Sequence, residues 1–237
     1  MTQPLNAKGK PFSWSYTALN DFDGSGGCPK RYAANRFYCV IPWVDTEAVI
    51  WGNRVHKAGE LFLKGIPHPD IEALKPVEKY ATAMLRSGHK VEAELEIALT
   101  RQLKPVSWFA KDAWFRAKLD VVVTKVKESS VNLFDWKTGG KIKDDEDQLR
   151  VCAAALSVVR PYLQEFGGKY IWTKHQQTTG IKPITKAEIP KVWQEFLPRV
   201  QRMEDAWASE RFPARPSGLC PYCAVNDCAS RRGEKRV

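Results

Sequence analysis

Apolar residues recur at three- and four-residue intervals through the first ninety positions and at two-residue intervals after Lys90, so the pattern predicts helices first and a sheet afterwards. Tyr16, Leu19 and Phe22 predict a helix capped by Ser13 or Ser15, and the glycine-rich residues 23–27 break it. Pro29, at a first-turn position, opens a second helix carrying Arg31, Tyr32, Arg36 and Phe37. A third spans 46–63 with Ala48, Val55, Ala58, Leu61 and Phe62 as its apolar positions. His56 lies in its middle, and Gly52 and Gly59 suggest close packing there. A fourth covers 71–87. Val91, Ala93, Leu95 and Ile97 then alternate with Glu92, Glu94 and Glu96, the signature of a half-buried strand. Trp108-Phe109 and residues 113–124 predict one or two more strands, 131–137 another, and 169–174 a last one. Helices are expected over 144–160, led by acidic residues, and over 190–209, with Val192, Phe196, Leu197, Val200 and Met203 on one face. The order implies an α/β fold, helices flanking a mixed β-sheet.

Composition narrows the class. The 237 residues suffice for one large domain or two small ones, and 43% hydrophobic content fits a globular chain. No apolar run approaches the ~18 residues of a membrane span. The polar residues 1–10 lack a secretory signal's apolar centre, so a cytoplasmic protein with no membrane partner is expected. A net charge of +10 favours a polyanionic partner, nucleic acid first. Six cysteines without a signal read as metal ligands or reduced core thiols. Cys39 and Cys152, in apolar settings, belong to the second kind.

The chemistry gathers around Phe134-Asp135-Trp136-Lys137-Thr138-Gly139. On a strand, Asp135 and Lys137 share one face, and Trp136 anchors the other in the core. If 120–125 and 131–137 form a hairpin turning near Glu128, Asp120 faces Asp135. Facing carboxylates repel unless a cation joins them, and their hard oxygens suit Mg²⁺ or Mn²⁺. Lys137 would then orient or deprotonate a water, or neutralise charge on a phosphate. Glu94 or Glu96 would add a third acidic group.

Asp120, Asp135-Trp136-Lys137 and Gln148-Leu149 together resemble the PD-(D/E)XK nuclease superfamily, closest to its RecB-like and Cas4-like exonucleases, many of them phage-encoded. Gly52-Asn53-Arg54-Val55-His56 is similar to the helix that supplies a histidine ligand in that branch, and Ser13, Ser15, Leu19, Phe22 and Cys28-Pro29 resemble its opening segment. Ala117 and Cys152 depart from it, standing where glycine and tyrosine are usual. The resemblance implies a restriction-endonuclease-like core and a metal-dependent DNA exonuclease, cytoplasmic or in the host cytoplasm if phage-encoded. His56, Asp120 and Asp135 would hold the metal, while Lys137, Gln148 and Glu94 complete the catalytic set. DNA, as single strands or duplex ends, would be the partner, with a helicase or recombination protein beside it. The rival reading is a non-catalytic DNA-binding or recombination adaptor, in which the same fold carries a structural cluster.

Cys220, Cys223 and Cys228 place three thiols within nine residues, strong grounds for metal coordination, and Cys28 is the natural fourth ligand. The spacing suits zinc or a [4Fe–4S] cluster equally; the resemblance to Cas4-like and AddB-like nucleases favours iron–sulfur, a staple joining the chain ends. Lys30, Arg31, Tyr32 and Arg36, with Arg231, Arg232, Lys235 and Arg236, would form one basic, aromatic DNA-binding patch. Lys141 and Lys143 would meet a substrate phosphate. The expected organisation is a flexible lead (1–12) and one nuclease domain (13–237): helical (13–89), nuclease core (90–175), helical (176–210), then cysteine cluster and basic tail (211–237).

Overall fold

The computed structural model describes residues 4–42, 44–143 and 145–231. Helices α1 (Tyr16–Asp23), α2 (Pro29–Arg36), α3 (Glu47–Leu63) and α4 (Ile71–Arg86) precede strands β1 (Lys90–Leu99), β2 (Pro105–Val106), β3 (Phe115–Lys125) and β4 (Ser130–Lys137). Then follow α5 (Asp147–Val159), β5 (Glu165–Trp172), β6 (Gln177–Thr185) and α6 (Ile189–Ser209). Of the two candidate caps for α1, Ser15 is the one used: its hydroxyl accepts from the Ala18 N–H. Among the described residues, no helix is long and apolar enough to cross a membrane.

The six strands form one mixed sheet in the order β2-β1-β3-β4-β5-β6. Only β4 and β5 run parallel, and α5 makes the crossover between them. On one face, Val55 and Ala58 of α3 and Val77 of α4 pack against Val121, Val123, Trp136 and Ile171. On the other, α1, α5 and α6 enclose the larger core, which takes in Leu119, Leu133 and Phe166.

Three expectations are corrected. Trp108 and Phe109 lie in a turn between β2 and β3, although their β propensity suggested a strand. The 169–174 strand is not the last, and the stretch 176–210 is not wholly helical, because β6 follows. Its polar, Gly- and Pro-bearing sequence carries no alternation because it forms a blunted sheet edge. Gly180 is required there: a Cβ would lie 2.5 Å from the Gly168 carbonyl. Third, the expected flexible lead is docked over its described part. Phe12 is buried edge-on against Trp207, whose indole N–H donates to the Pro4 carbonyl at 2.7 Å.

Strict alternation also fails inside β1. Val91 packs on the α3–α4 side, whereas Leu95 and Ile97 join the core under α5. Glu94 has φ +58°, a left-handed conformation rare for a residue with a Cβ, and it turns the strand over at that point. The facing strand changes sides at Asp120, between Leu119 and Val121. The two carboxylates therefore sit where the sheet's faces exchange.

The chain ends are tied together by charge. Asp23 takes guanidinium groups from Arg199 (3.3 Å), Arg202 (2.7 Å) and Arg215 (3.4 Å). Asp23→Asn leaves Arg202 and Arg215 converging without their anion and Arg199 with Asp147 alone. The melting temperature is expected to fall by about 3–8 °C, roughly 1–3 kcal/mol, and by less in 1 M salt. A melt within a degree of wild type would show that the network contributes nothing.

Candidate active site

The site forms where β3, β4, α3 and α5 meet. The β3–β4 ladder ends at Val121 and Phe134, so Asp120 and Asp135 stand one step beyond it. Asp120 instead accepts the Trp136 N–H through Oδ2 at 2.8 Å, taking over a ladder bond with its side chain. Trp136 is buried in the core on the α3–α4 side, as its position opposite Asp135 and Lys137 predicts.

Helix α3 lies close against this strand end because two glycines allow it. A Cβ on Gly52 would lie 3.1 Å from Thr138 Oγ1, and one on Gly59 would lie 3.2 Å from Trp136 Nε1. At that distance His56 reaches both strands: its Nδ1 is 3.3 Å from Asp120 Oδ1 and its Nε2 is 3.0 Å from the Trp136 carbonyl. Burial alone would lower the His56 pKa. The hydrogen bond to Asp120 and the charges of Asp120, Asp135 and Glu94 together prevail and push it up to about 9. The imidazole is then a cation at neutral pH, donating from both nitrogens, and a metal ion taking one of them displaces that proton.

His56, Glu94 and Asp120 each present a ligand atom within 4.8 Å of the others. Glu94 belongs to this group rather than Glu96, which is exposed. Glu94 is paired with the Lys118 ammonium. Asp135 lies beside the group but is held in a second arrangement. Its Oδ1 accepts from Gln148 Nε2 at 2.7 Å, Gln148 Oε1 accepts from Lys137 Nζ at 2.8 Å, and Lys137 Nζ is 2.7 Å from Asp135 Oδ2. Burial, then the charge of Asp120, raises the Asp135 carboxyl well above the usual carboxylate range, although Lys137 opposes the shift.

This donor set fits a hard divalent cation: carboxylates and one imidazole, with Asp135 Oδ2 buried and lacking an aligned hydrogen bond. Of the expected metal ligands, His56 and Asp120 converge with Glu94, whereas Asp135 is held beside them by Lys137 and Gln148. The geometry also adds Tyr170, whose ring supports the Lys137 ammonium at 4.9 Å. Tyr170 stands directly across from Asp135 on β5, a parallel register that sequence spacing does not reveal. Lys118 was likewise invisible, because its role follows from the strand pairing that sets it near Glu94.

The proposed DNA contacts divide. Tyr32 is buried against Phe22 and near Phe212, which removes it from any surface. Lys30 donates to the Asp227 carbonyl at 2.9 Å, and Arg31 to that of Gly26 at 2.9 Å, so both stitch the fold. Arg36 pairs with Asp21 at 3.1 Å and still lines a cleft that reaches Gln148. Lys141 and Lys143 are exposed and line a second cleft together with Lys137 and Gln148. Arg232, Lys235 and Arg236 lie outside the described residues.

Cys28, Cys220, Cys223 and Cys228 line one pocket, joining α2 to the C-terminal segment. Backbone N–H groups of Arg215 and Ser217 donate to the sulfurs of Cys28 (3.3 Å) and Cys220 (3.2 Å). Cys152 is buried, and burial pushes its thiol up to about 12. Cys39, expected to be buried, is half-buried at φ +54°.

Comparison with known proteins adds three findings. A family model described as the PD-(D/E)XK nuclease superfamily matches residues 13–228. No curated protein matches the sequence significantly. Among solved structures, the chain is similar to a candidate exonuclease from Eubacterium rectale (TM-score 0.52, 13% identity, covering 95% of this chain and 89% of that one). It is also similar to the protein SSO0001 (TM-score 0.45, 16% identity, covering 94% and 88%).

Proposed function

Because the chain belongs to the PD-(D/E)XK nuclease superfamily, we propose that it is a Mg²⁺- or Mn²⁺-dependent DNA exonuclease of the RecB-like and Cas4-like, phage-type branch. One observation carries this reading. His56, Glu94 and Asp120 converge within 4.8 Å, beside a buried Asp135 that Gln148 links to Lys137. A DNA-binding adaptor has no use for carboxylates set against one another at a cost in stability.

The residues divide the work. Glu94, Asp120 and His56, with the Asp135 oxygen that faces Lys137, would hold the cation. When bound, that ion lowers the pKa of water and offsets charge on the phosphate. Asp120 fixes the strand end through the Trp136 N–H, so the acidic groups keep their spacing. Lys137, steadied by Tyr170 and Gln148, holds a positive charge beside the reacting phosphate. Gln148 keeps Lys137 and Asp135 in register, and Lys141 and Lys143 meet the phosphates beyond.

The four cysteines that line one pocket would hold a [4Fe–4S] cluster, the group that the likeness to Cas4-like nucleases favours, with zinc as the alternative for the same four thiolates. Two backbone N–H groups aimed at sulfur favour thiolate ligands in either case.

The test is cleavage of end-labelled linear single-stranded and duplex DNA, and of covalently closed circular DNA, with Mn²⁺, with Mg²⁺ or with chelator. Metal-dependent release of nucleotides from linear DNA, with circles spared, is expected. Cleavage of circles would replace exonuclease by endonuclease, and no cleavage under any metal would overturn the reading.

A further inference from the structure

The turn carrying Trp108 and Phe109 is the most exposed aromatic feature near the site. Phe109 is 87% exposed, and Trp108 is half-buried. A single exposed aromatic is ordinary on a protein surface. Here, however, the turn is held from beneath. The Arg116 guanidinium donates to the carbonyls of Trp108 (2.8 Å), Ala110 (3.2 Å) and Ala113 (3.3 Å), which spreads its donors over the whole turn. Turn hydrogen bonds from Ala110 to Ser107 (3.0 Å) and from Ala113 to Ala110 (3.2 Å) complete the brace. The ring is therefore presented to solvent on a backbone that has already lost its freedom, which lowers the entropic cost of binding.

The same arginine carries an unbalanced charge. Among the described residues Arg116 has no carboxylate partner, and it lines a cleft of about 380 Å³ running from Trp108 to Gln148. That volume lies in the range of small-ligand clefts, room enough for about one nucleotide. The charged groups lining it are Arg36, Arg116 and Lys118, all cationic; Arg36 and Lys118 are paired with Asp21 and Glu94 outside its walls, so Arg116 supplies the charge that has no carboxylate beside it. Lys118 also lines the cleft that holds His56, Glu94 and Asp120. Trp108, a cationic floor and an opening into the acidic site thus follow one another, and Phe109 stands next to Trp108 on the same braced turn.

We infer that the Trp108-Phe109 turn is a base-stacking platform for single-stranded DNA, seating a nucleotide beside the scissile phosphate while Arg116 and Lys118 draw in the flanking phosphates. The inference rests on the nuclease reading only for the word scissile; the stacking itself is a binding property. Phosphate charge explains attraction to any nucleic acid, but an exposed ring adds affinity only for bases that are unpaired and free to stack.

The experiment is binding of a fluorescently labelled oligothymidylate to the full-length protein in Ca²⁺, read by anisotropy, for wild type, Phe109→Ala and Phe109→Tyr. Phe109 is exposed, so neither variant threatens the fold. Phe109→Ala is expected to weaken binding about 5- to 150-fold with an unchanged salt slope, and Phe109→Tyr to restore it. With an abasic deoxyribose-phosphate oligomer the Phe109→Ala loss is expected to vanish, which a merely structural role for the ring would not produce. Wild-type affinity in Phe109→Ala, or an equal loss on the abasic oligomer, overturns the platform. Parallel cleavage assays separate the two readings: cleavage with no stacking loss sinks the platform alone, whereas the stacking loss without cleavage by wild type sinks the nuclease alone.

Discussion

Asp135→Asn protein is expected to lose metal-dependent DNA cleavage by at least about 10³-fold while melting, metal-free, no lower than wild type. The two halves have one cause. Asp135 is buried on a β-strand facing a second carboxylate, and one of its oxygens lacks an aligned hydrogen bond. Both burial and Asp120 oppose its charge, so an ionised Asp135 costs the fold stability and is tolerable only with Lys137 beside it or a cation bound. Asparagine keeps the acceptor for Gln148 and removes the charge that a metal ion requires. Lys137→Met tests the other side of the pair. It removes the positive charge at the phosphate, so kcat is expected to fall about 10²–10³-fold. The side chain is 28% exposed and stands at a strand end, so the fold should persist. Thermal melts with and without Mn²⁺, beside cleavage rates, decide the matter. A fall of many degrees in Asp135→Asn would make the residue structural, and full cleavage by Lys137→Met would remove the lysine from the chemistry.

The second large effect concerns the chain ends. Cys28→Ser is expected to bleach a brown protein absorbing near 400 nm and to lower its melting temperature by on the order of 10 °C. A cross-link from Cys28 to Cys220 closes a loop of roughly 190 residues, which removes about 5 kcal/mol of unfolded-state freedom in the chain-entropy account. The loss should be cooperative, because Cys228 and Val225 bury with Ala34 of α2 in a small satellite core that a cluster on these thiols would hold in place. Iron, sulfide and zinc analysis of protein purified without oxygen provides the check. Stoichiometric zinc with no iron would put a mononuclear site in the cluster's place, and absence of both would leave the thiols as ordinary cysteines.

Much of the fold was legible because its helices carry strong periodicity and recognisable ends. Ser15, Thr46 and Asp70 accept at the starts of α1, α3 and α4, and Pro29 opens α2. The β3–β4 hairpin followed from two apolar runs about a polar turn near Glu128, and with it the placing of Asp120 and Asp135 side by side, one step beyond the end of the ladder. β6 was not legible, since an edge strand is selected for polarity and Pro rather than for alternation. The Trp108-Phe109 turn was misread because aromatic residues favour strands on average, whereas here Arg116 collects the turn's carbonyls. Tyr32 had the composition of a nucleic-acid contact and the burial of a core residue, and composition does not distinguish them.

By itself, the sequence determined the chemistry: two aspartates, a lysine, a glutamine and a histidine at spacings that strands and helices convert into shared faces. Those relations are local, and the periods of 2 and 3.6 residues carry them. Only the tertiary structure decided which glutamate joins His56 and Asp120. Strict alternation puts Glu94 and Glu96 on one face, but the left-handed backbone at Glu94 turns the strand over and sets that carboxylate against His56 and Asp120. It likewise decided that Tyr170 supports Lys137 and that Cys28 meets three cysteines nearly two hundred residues away. Such neighbours are fixed by sheet order and by the packing of distant segments, which depend on the whole chain at once.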